Sequence, residues 1–219
     1  MPVLYPCLAI AVPAVLAFLF LDPLAAELYG HWPTWLANSA AHVTDVGRSW
    51  WILTLSVAVM LGAWVVQRLS SSDRTRPITA SLIAMASYML VSVGLAALIV
   101  NIIKRAIGRP RPIMAADHGL YGFNPFTWNF DFESFPSGHA TVNGALFMSL
   151  ALLFPRLRWP LLVLGFGFAL TRVFVGAHFP SDVTVGFGFG MWFAFATALW
   201  FSRFGILFET TNGVLVRKT

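Results

Sequence analysis

Six long apolar runs, separated by short polar connections, limit the folds available to this chain more than any other feature. They cover residues 3–21, 49–67, 79–103, 139–154, 160–176 and 182–202. A helix that crosses a hydrocarbon core of about 30 Å needs about 20 apolar residues. Only 11% of the residues are charged, whereas soluble domains carry roughly 25%. The sequence therefore predicts an all-α, polytopic membrane protein whose six transmembrane helices form one bundle.

The lengths of the runs raise two further points. Residues 139–154 and 160–176 are short for a full crossing, so either these helices extend by a turn or the protein is thin there. The first run resembles a signal peptide followed by Ala25-Ala26, but no basic residues precede it and it exceeds the usual ~7–15 residues. We interpret it as a membrane span, and we expect one domain over residues 1–219.

Cationic residues predict the orientation in the membrane, because cytoplasmic connections carry more lysine and arginine. One set of connections holds Arg68, Arg74, Arg76, Arg156, Arg158, Arg203, Arg217 and Lys218. The other set holds Arg48, Lys104, Arg105, Arg109, Arg111 and Arg172. If all of the second set except Arg48 serves chemistry, both termini are cytoplasmic and the His139 end is extracytoplasmic, on the cytoplasmic (inner) membrane. We assign the net charge of +5 to topology and substrate binding, and expect no nucleic acid partner.

The connections carry their own signals. Residues 22–48 mix tryptophans with polar residues, which predicts a helix lying in the membrane interface. Aromatic residues alternate over residues 126–132, which is compatible with a short strand. In a loop beside a membrane we favour rings that rest at the interface, either as simple anchors or at the border of a lipid entrance. Gly186 and Gly190 form a GxxxG pair that favours close approach of neighbouring helices. Residues 204–219 are expected to be a short cytoplasmic extension.

Charged residues near membrane spans are costly and point to function. Those of this chain gather at one end of the third to sixth runs: Lys104, Arg109, Arg111, His139, Arg172, His178 and Asp182. Helices that alternate in direction bring these four ends together. A site with several cations, two histidines and one carboxylate fits a phosphate, which arginine binds bidentately and lysine as a point charge.

Pro136, Ser137, Gly138 and His139 have the composition of a turn into a helix. A serine there caps the helix, and the first free backbone N–H groups attract anions. Considered alone, the same tetrapeptide is better explained by ordinary turn chemistry.

The two histidines divide the chemistry between them. Asp182 follows His178 by four residues, so a helical turn begun near Pro180 brings the carboxylate to the imidazole and favours His178 as nucleophile. His139, at the anion-binding turn, is better suited to protonate the leaving oxygen. The histidines lack HExxH spacing, and the lone cysteine, Cys7, lies in an apolar run, so we expect neither metal nor other cofactor. We interpret the remaining histidines as interfacial or loop residues: His31, His42 and His118.

Three motifs over residues 104–182 resemble the signature of the type 2 phosphatidic acid phosphatase superfamily. The segment from Lys104 to Pro112 fits K-x6-R-P, and Pro136 to His139 fit P-S-G-H. Residues 171–182 fit S-R-x5-H-x3-D, except that Thr171 replaces the serine. The superfamily also includes haloperoxidases, but those resemble soluble proteins, so six spans favour the membrane lipid phosphatases.

The resemblance implies metal-independent hydrolysis through a phosphohistidine on His178, with His139 as acid and Asp182 as the residue that orients His178. It implies these phosphate ligands: Lys104, Arg111, Ser137, Gly138 and Arg172. Arg105 and Arg109 lie outside the pattern, and a role at lipid headgroups is one hypothesis for them.

The expected activity is therefore removal of a terminal phosphate from a membrane lipid. Phosphatidylglycerophosphate, phosphatidate, polyprenyl diphosphate and lipid A phosphate all fit, and the sequence does not choose among them. Phosphoryl transfer to a second lipid is an alternative on the same site, and an anion or lipid transporter with an inert site is an alternative of another class. The oligomeric state stays open.

Overall fold

The computed structural model describes residues 4–211 and 213–218, which form a helical bundle with a small β-hairpin. The α-helices are α1 (Leu4–Leu16), α2 (Asp22–Glu27), α3 (Thr34–Val43), α4 (Ser49–Leu69), α5 (Thr75–Ile107), α6 (Ala115–His118), α7 (Gly138–Leu153), α8 (Arg158–Phe174) and α9 (Pro180–Arg203). A π-helical turn, Ala17–Leu21, joins α1 to α2. The all-α prediction is confirmed.

Five helical segments in the described residues are long and apolar enough to cross a membrane: Cys7–Glu27, Thr34–Leu69, Thr75–His118, Pro155–Phe174 and Pro180–Arg203. The chain is therefore an integral membrane protein. Helix α7 has only 16 residues, or about 24 Å at 1.5 Å per residue, so the fourth run does not extend. A short helical turn, Pro155–Leu157, lengthens the fifth run. A sixth crossing, by α7, stays a prediction.

Helix α7 lies at the centre of the bundle, where it packs against α5, α8 and α9. Its contact with α9 depends on glycine. A Cβ atom on Gly186 would lie 2.5 Å from the carbonyl oxygen of Ser137, and one on Gly190 would lie 2.1 Å from that of Thr141. From the other side, a Cβ atom on Gly144 would lie 2.1 Å from the carbonyl oxygen of Phe187. The predicted close approach at Gly186 and Gly190 is confirmed.

The sequence predicts the connection between the first two spans better than it predicts residues 126–132. The helix expected between the first two spans is present as α3. The strand considered for residues 126–132 is wrong, because this segment contains turns and one 3-10 turn, Phe130–Phe132. Phe132 is buried, whereas Phe126, Trp128 and Phe130 are exposed.

The C-terminal segment is a hairpin that packs on the bundle, whereas the sequence predicts a plain extension. Strand β1 (Phe208–Thr211) pairs antiparallel with β2 (Val214–Arg217). Phe208 is buried with its ring centroid 5.0 Å from that of Tyr88 on α5. Arg217 donates a hydrogen bond to the carbonyl oxygen of Leu153 at 2.7 Å and so caps the end of α7.

The directions of the helices place the polar ends together. Helices α5 and α8 end where α7 and α9 begin, and the turn from α1 into α2 reaches the same end of the bundle. The hairpin lies at the opposite end. The segments that carry the three motifs therefore surround one site.

Candidate active site

The C-terminal end of α5 presents two cations to one carboxylate. Gly108 ends the helix in the left-handed conformation, and a Cβ atom there would overlap the backbone of Asn124. One turn earlier, Lys104 Nζ lies 2.8 Å from Glu133 Oε2, and Arg105 Nε lies 3.1 Å from Glu133 Oε1. Burial alone raises the pKa of Glu133, but these two cations bring it below its usual value. The predicted phosphate ligand Lys104 is therefore ion-paired to a residue that sequence reasoning missed.

Arg111 is buried and fixed from two sides. Its Nε donates to the carbonyl oxygen of Phe130 at 2.9 Å, and its Nη1 donates to that of Ala177 at 3.2 Å. The ring of Phe130 also covers the guanidinium, with 3.8 Å between the ring centroid and Cζ. These contacts place the guanidinium beside the residue that precedes His178.

The Pro136–His139 turn has the geometry expected from its composition. Ser137 is the N-cap of α7, and its side-chain oxygen accepts a hydrogen bond from the N–H of Ala140 at 3.4 Å. The N–H of Ser137 donates to the backbone carbonyl of Asp182 at 3.1 Å, which ties the turn to α9. Gly138 and His139 begin the helix, where backbone N–H groups have no intrahelical acceptor.

The ring of His178 is oriented by a backbone carbonyl. Its Nδ1 lies 2.7 Å from the carbonyl oxygen of Ser134 and 3.8 Å from Asp182 Oδ2. A carbonyl oxygen only accepts, so Nδ1 carries the proton and Nε2 keeps a free lone pair. Burial lowers the pKa of His178 to about 4, although Asp182 partly offsets this effect. The helix begun at Pro180 does bring Asp182 near, but the direct hydrogen bond is to Ser134.

Asp182 is fully buried, and donors surround its carboxylate. Oδ2 accepts from Ser134 Oγ at 2.6 Å and from the N–H of Phe179 at 2.9 Å. Oδ1 accepts from Arg109 Nη1. Ser134 thus contacts both His178 and Asp182, one through its carbonyl and one through its hydroxyl.

Arg109 joins Asp182 to the first helical segment. Its Nη2 lies 2.8 Å from Asp22 Oδ2, and both residues are at most 1% exposed. The guanidinium also lies between two rings, with Cζ 5.2 Å from the centroid of Phe18 and 4.5 Å from that of Phe179. The hypothesis that places Arg109 at lipid headgroups is wrong, because this side chain is sealed inside the protein.

Arg172 and Thr171 contact the segment that precedes α4. Arg172 Nη1 donates to Thr44 Oγ1 at 3.0 Å, and Thr171 Oγ1 lies 3.1 Å from the same oxygen. Thr171 also donates to the carbonyl oxygen of Phe168 at 2.6 Å. Threonine keeps the hydroxyl of the serine expected here, and this hydroxyl is used in helix packing.

His139 lies within electrostatic range of His178, Arg172 and Arg111. A Cβ atom on Gly47 would lie 2.9 Å from His139 Cβ, so the segment before α4 packs directly on this histidine. The other three histidines are exposed and stand apart from the cluster: His31, His42 and His118.

The structure gathers the eight residues selected from the sequence at one end of the bundle, and it adds four that were missed: Asp22, Thr44, Glu133 and Ser134. Asp22 carried a signal, since it is a lone carboxylate at the end of an apolar run. Glu133 and Ser134 immediately precede the P-S-G-H motif but belong to no recognised pattern. In residues 4–211 and 213–218, no group of three or more histidine, cysteine or carboxylate side chains is arranged to hold a metal.

Comparisons with known proteins identify the family. The PAP2 superfamily model matches residues 85–206. The lipid A 1-phosphatase of Rhizobium etli is 37% identical over 205 residues, which are 93% of this chain and 87% of that protein. An undecaprenyl-diphosphatase of Bacillus subtilis is 38% identical over 93 residues, which cover 41% of this chain and 45% of that one.

A solved structure extends the likeness to the fold. The PAP2-type phosphatidylglycerolphosphate phosphatase of Bacillus subtilis superposes with a TM-score of 0.55 at 23% identity. The match covers 87% of this chain and 96% of that chain. At this identity the likeness concerns the fold alone.

Proposed function

The chain belongs to the PAP2 superfamily and is a membrane lipid phosphatase, and from that premise we propose that His178 and His139 hydrolyse the lipid phosphate through a phosphohistidine. The observation that carries the proposal is the state of His178. Its proton is held on Nδ1 by the Ser134 carbonyl, so Nε2 is a neutral nucleophile beside a cluster of cations.

The reaction has two steps. In the first, Nε2 of His178 attacks phosphorus, an N–P bond forms, and the bond from phosphorus to the lipid oxygen breaks while His139 gives that oxygen a proton. In the second, His139 takes a proton from water, the water oxygen attacks phosphorus, and the N–P bond breaks to release phosphate. Five groups stabilise the charge on the phosphoryl oxygens: Lys104, Arg111, Arg172, the hydroxyl of Ser137 and the backbone N–H of Gly138.

The lipid is a phosphorylated glycolipid of the lipid A type. Support comes from the lipid A 1-phosphatase relative, whose alignment covers nearly the whole chain, whereas the undecaprenyl-diphosphatase alignment covers less than half. Beside Arg109 an apolar cavity of about 310 Å³ lies between α1 and α9. Its lining, which includes Val15, Phe18 and Val185, suits a hydrocarbon chain better than a polar headgroup.

The site faces the extracytoplasmic side of the cytoplasmic membrane, with both termini in the cytoplasm. The eight cations of the opposite connections support this orientation under the positive-inside rule.

The test uses purified protein in detergent with EDTA, and lipid A, phosphatidylglycerophosphate and undecaprenyl diphosphate as separate substrates. We expect phosphate release in the chelator, with the highest kcat/KM on lipid A. The phosphohistidine is trapped by rapid quenching in alkaline detergent, because the N–P bond is labile in acid. His178→Ala is expected to abolish both the trapped intermediate and phosphate release.

The matched control is His31→Ala, which removes an exposed histidine away from the cluster and is expected to retain wild-type turnover. Retained turnover in His178→Ala, or normal turnover with no trapped intermediate, contradicts the mechanism. A higher kcat/KM on either of the other lipids contradicts the substrate assignment and leaves the mechanism standing.

A further inference from the structure

Asp22 is a buried carboxylate that no motif of the catalytic region includes. It lies where the π-helical turn after α1 passes into α2, outside the residues that the family model matches. Its exposure is 0%. Its two oxygens are fully used: Oδ1 accepts from the N–H of Ser181 at 2.9 Å, and Oδ2 accepts from Ser181 Oγ and from Arg109.

The contacts form one continuous line of charges from the start of α2 to His178. Arg109 donates from Nη2 to Asp22 and from Nη1 to Asp182, whose other oxygen lies 3.8 Å from His178 Nδ1. All three members of the line are at most 1% exposed. In such surroundings charges act on one another with little screening by water.

The charge balance of this line gives Asp22 its role. The charges of Arg109 and Asp182 cancel each other, so these two residues alone would offer little negative potential to the imidazole of His178. With Asp22 the line carries a net charge of −1. His178 needs that charge, because its ring becomes positive as Nε2 attacks, while Arg111 and Arg172 oppose positive charge there.

We infer that Asp22 is a positioning residue that neutralises Arg109 and thereby leaves Asp182 free to stabilise the positive ring of His178. The inference rests on the proposed function of His178. It makes α2 part of the catalytic apparatus, because Asp22 also fixes the N-terminus of α9 through Ser181.

The experiment compares variants of the full-length protein with lipid A as substrate. Asp22→Asn removes the charge at constant shape, and we expect kcat to fall about 10- to 100-fold, the effect of one charge at roughly 6 to 12 Å with an effective dielectric of about 20. KM is expected to stay within about twofold, since Asp22 does not contact the phosphate ligands. Thermal unfolding separates this loss from misfolding, and Asp73→Asn, in the exposed connection between α4 and α5, is the control.

A second substitution distinguishes charge balance from simple packing. Arg109→Gln in the Asp22→Asn background restores the net charge of −1 next to His178, so kcat is expected to rise above that of Asp22→Asn. If packing alone matters, the double variant is less active than Asp22→Asn, and this result overturns the inference. Wild-type kcat in Asp22→Asn also overturns it.

If Asp22→Asn does not fold, Asp22→Glu and Asp22→Gln replace it as a pair of equal size that differs in charge. The inference requires the greater kcat in Asp22→Glu, and equal values contradict it. Different results would contradict the proposed function itself. They are no phosphate release from the lipid by the wild-type protein, or retained phosphate release by His178→Ala.

Discussion

At the scale of single residues, the site depends on groups that have opposite effects on the protonation of the His178 imidazole. The Ser134 carbonyl fixes the proton of His178 on Nδ1, and burial keeps the ring neutral. Asp182 acts in the other direction, because it favours the positive ring that forms on attack. A nucleophile at the usual pKa of about 6.5 would be partly protonated at neutral pH. The fold therefore keeps the lone pair available, and in the proposed mechanism only the attack on phosphorus makes the ring positive.

The pH dependence of catalysis follows from this arrangement. The pKa of His178 is lowered to about 4, so the lone pair is present above that pH and is lost as the pH falls through it. We expect the acid limb of kcat/KM, corrected for the ionisation of the substrate phosphate by ³¹P NMR titration, to have an apparent pKa below 5.5, between the lowered and usual values. An acid limb at or above the ordinary histidine value contradicts this prediction.

Glu133 gives a second prediction at this scale. Its carboxylate is bound to Lys104 and Arg105, so a phosphate that approaches Lys104 meets a negative charge. Glu133→Gln keeps the shape and one acceptor oxygen but removes the charge. We expect inhibition by inorganic phosphate to become about tenfold tighter, as for the loss of one nearby like charge.

The control for this variant is Glu209→Gln, on the exposed β1 strand of the hairpin, which should leave the inhibition constant unchanged. Weaker binding of phosphate by Glu133→Gln would instead mean that the charge of Glu133 is needed to hold Lys104 in place.

At the scale of helices, the contact of α7 with α9 sets the distance between the two histidines proposed as catalytic, because His139 lies in the first turn of α7 and His178 lies two residues before α9. Gly190→Ala places a Cβ atom 2.1 Å from the carbonyl oxygen of Thr141, so the backbones must separate. We expect a loss of stability of about 1–3 kcal/mol and a fall in kcat, measured by thermal unfolding and phosphate release. Gly167→Ala, which adds a Cβ atom in open space, is the control and should be stable.

The helices were predictable to different degrees, for physical reasons. The close contact at Gly186 and Gly190 could be predicted because their spacing places both on one helical face. The ion pairs of Arg109 could not, since Asp22 and Asp182 are far from it in sequence and nothing local selects them. The hairpin was missed because its buried residue, Phe208, joins a cluster that includes Tyr88 and Leu153, which are far from it in sequence. Helix α7 and its N-cap at Ser137 follow local rules and lie where the sequence places them.

At the scale of the whole molecule, the charges of the two ends are unequal. The site end holds six lysines and arginines and seven carboxylates, a net charge of −1. The opposite end holds eight lysines and arginines and two carboxylates, a net charge of +6. Most cations of the site end are also bound within the protein: Arg48 to Asp45, Lys104 and Arg105 to Glu133, and Arg109 to Asp22 and Asp182. The count of eight cations against six in the sequence therefore understates the preference of the opposite end for the cytoplasm. In the folded protein, few cations of the site end are free to interact with headgroups.

This asymmetry predicts which face a reagent reaches. In a background with Cys7→Ser, Ala116→Cys places a thiol on the exposed connection at the site end, and Ser71→Cys places one on the exposed connection between α4 and α5. In intact spheroplasts a membrane-impermeant maleimide is expected to label Ala116→Cys alone, and Ser71→Cys only after permeabilisation, because the cationic end is retained in the cytoplasm. The reverse pattern would place the catalytic histidines in the cytoplasm. Equal labelling of both sites in intact spheroplasts would mean that the two connections share one face, which would contradict a membrane crossing by α5, because these connections lie at its two ends.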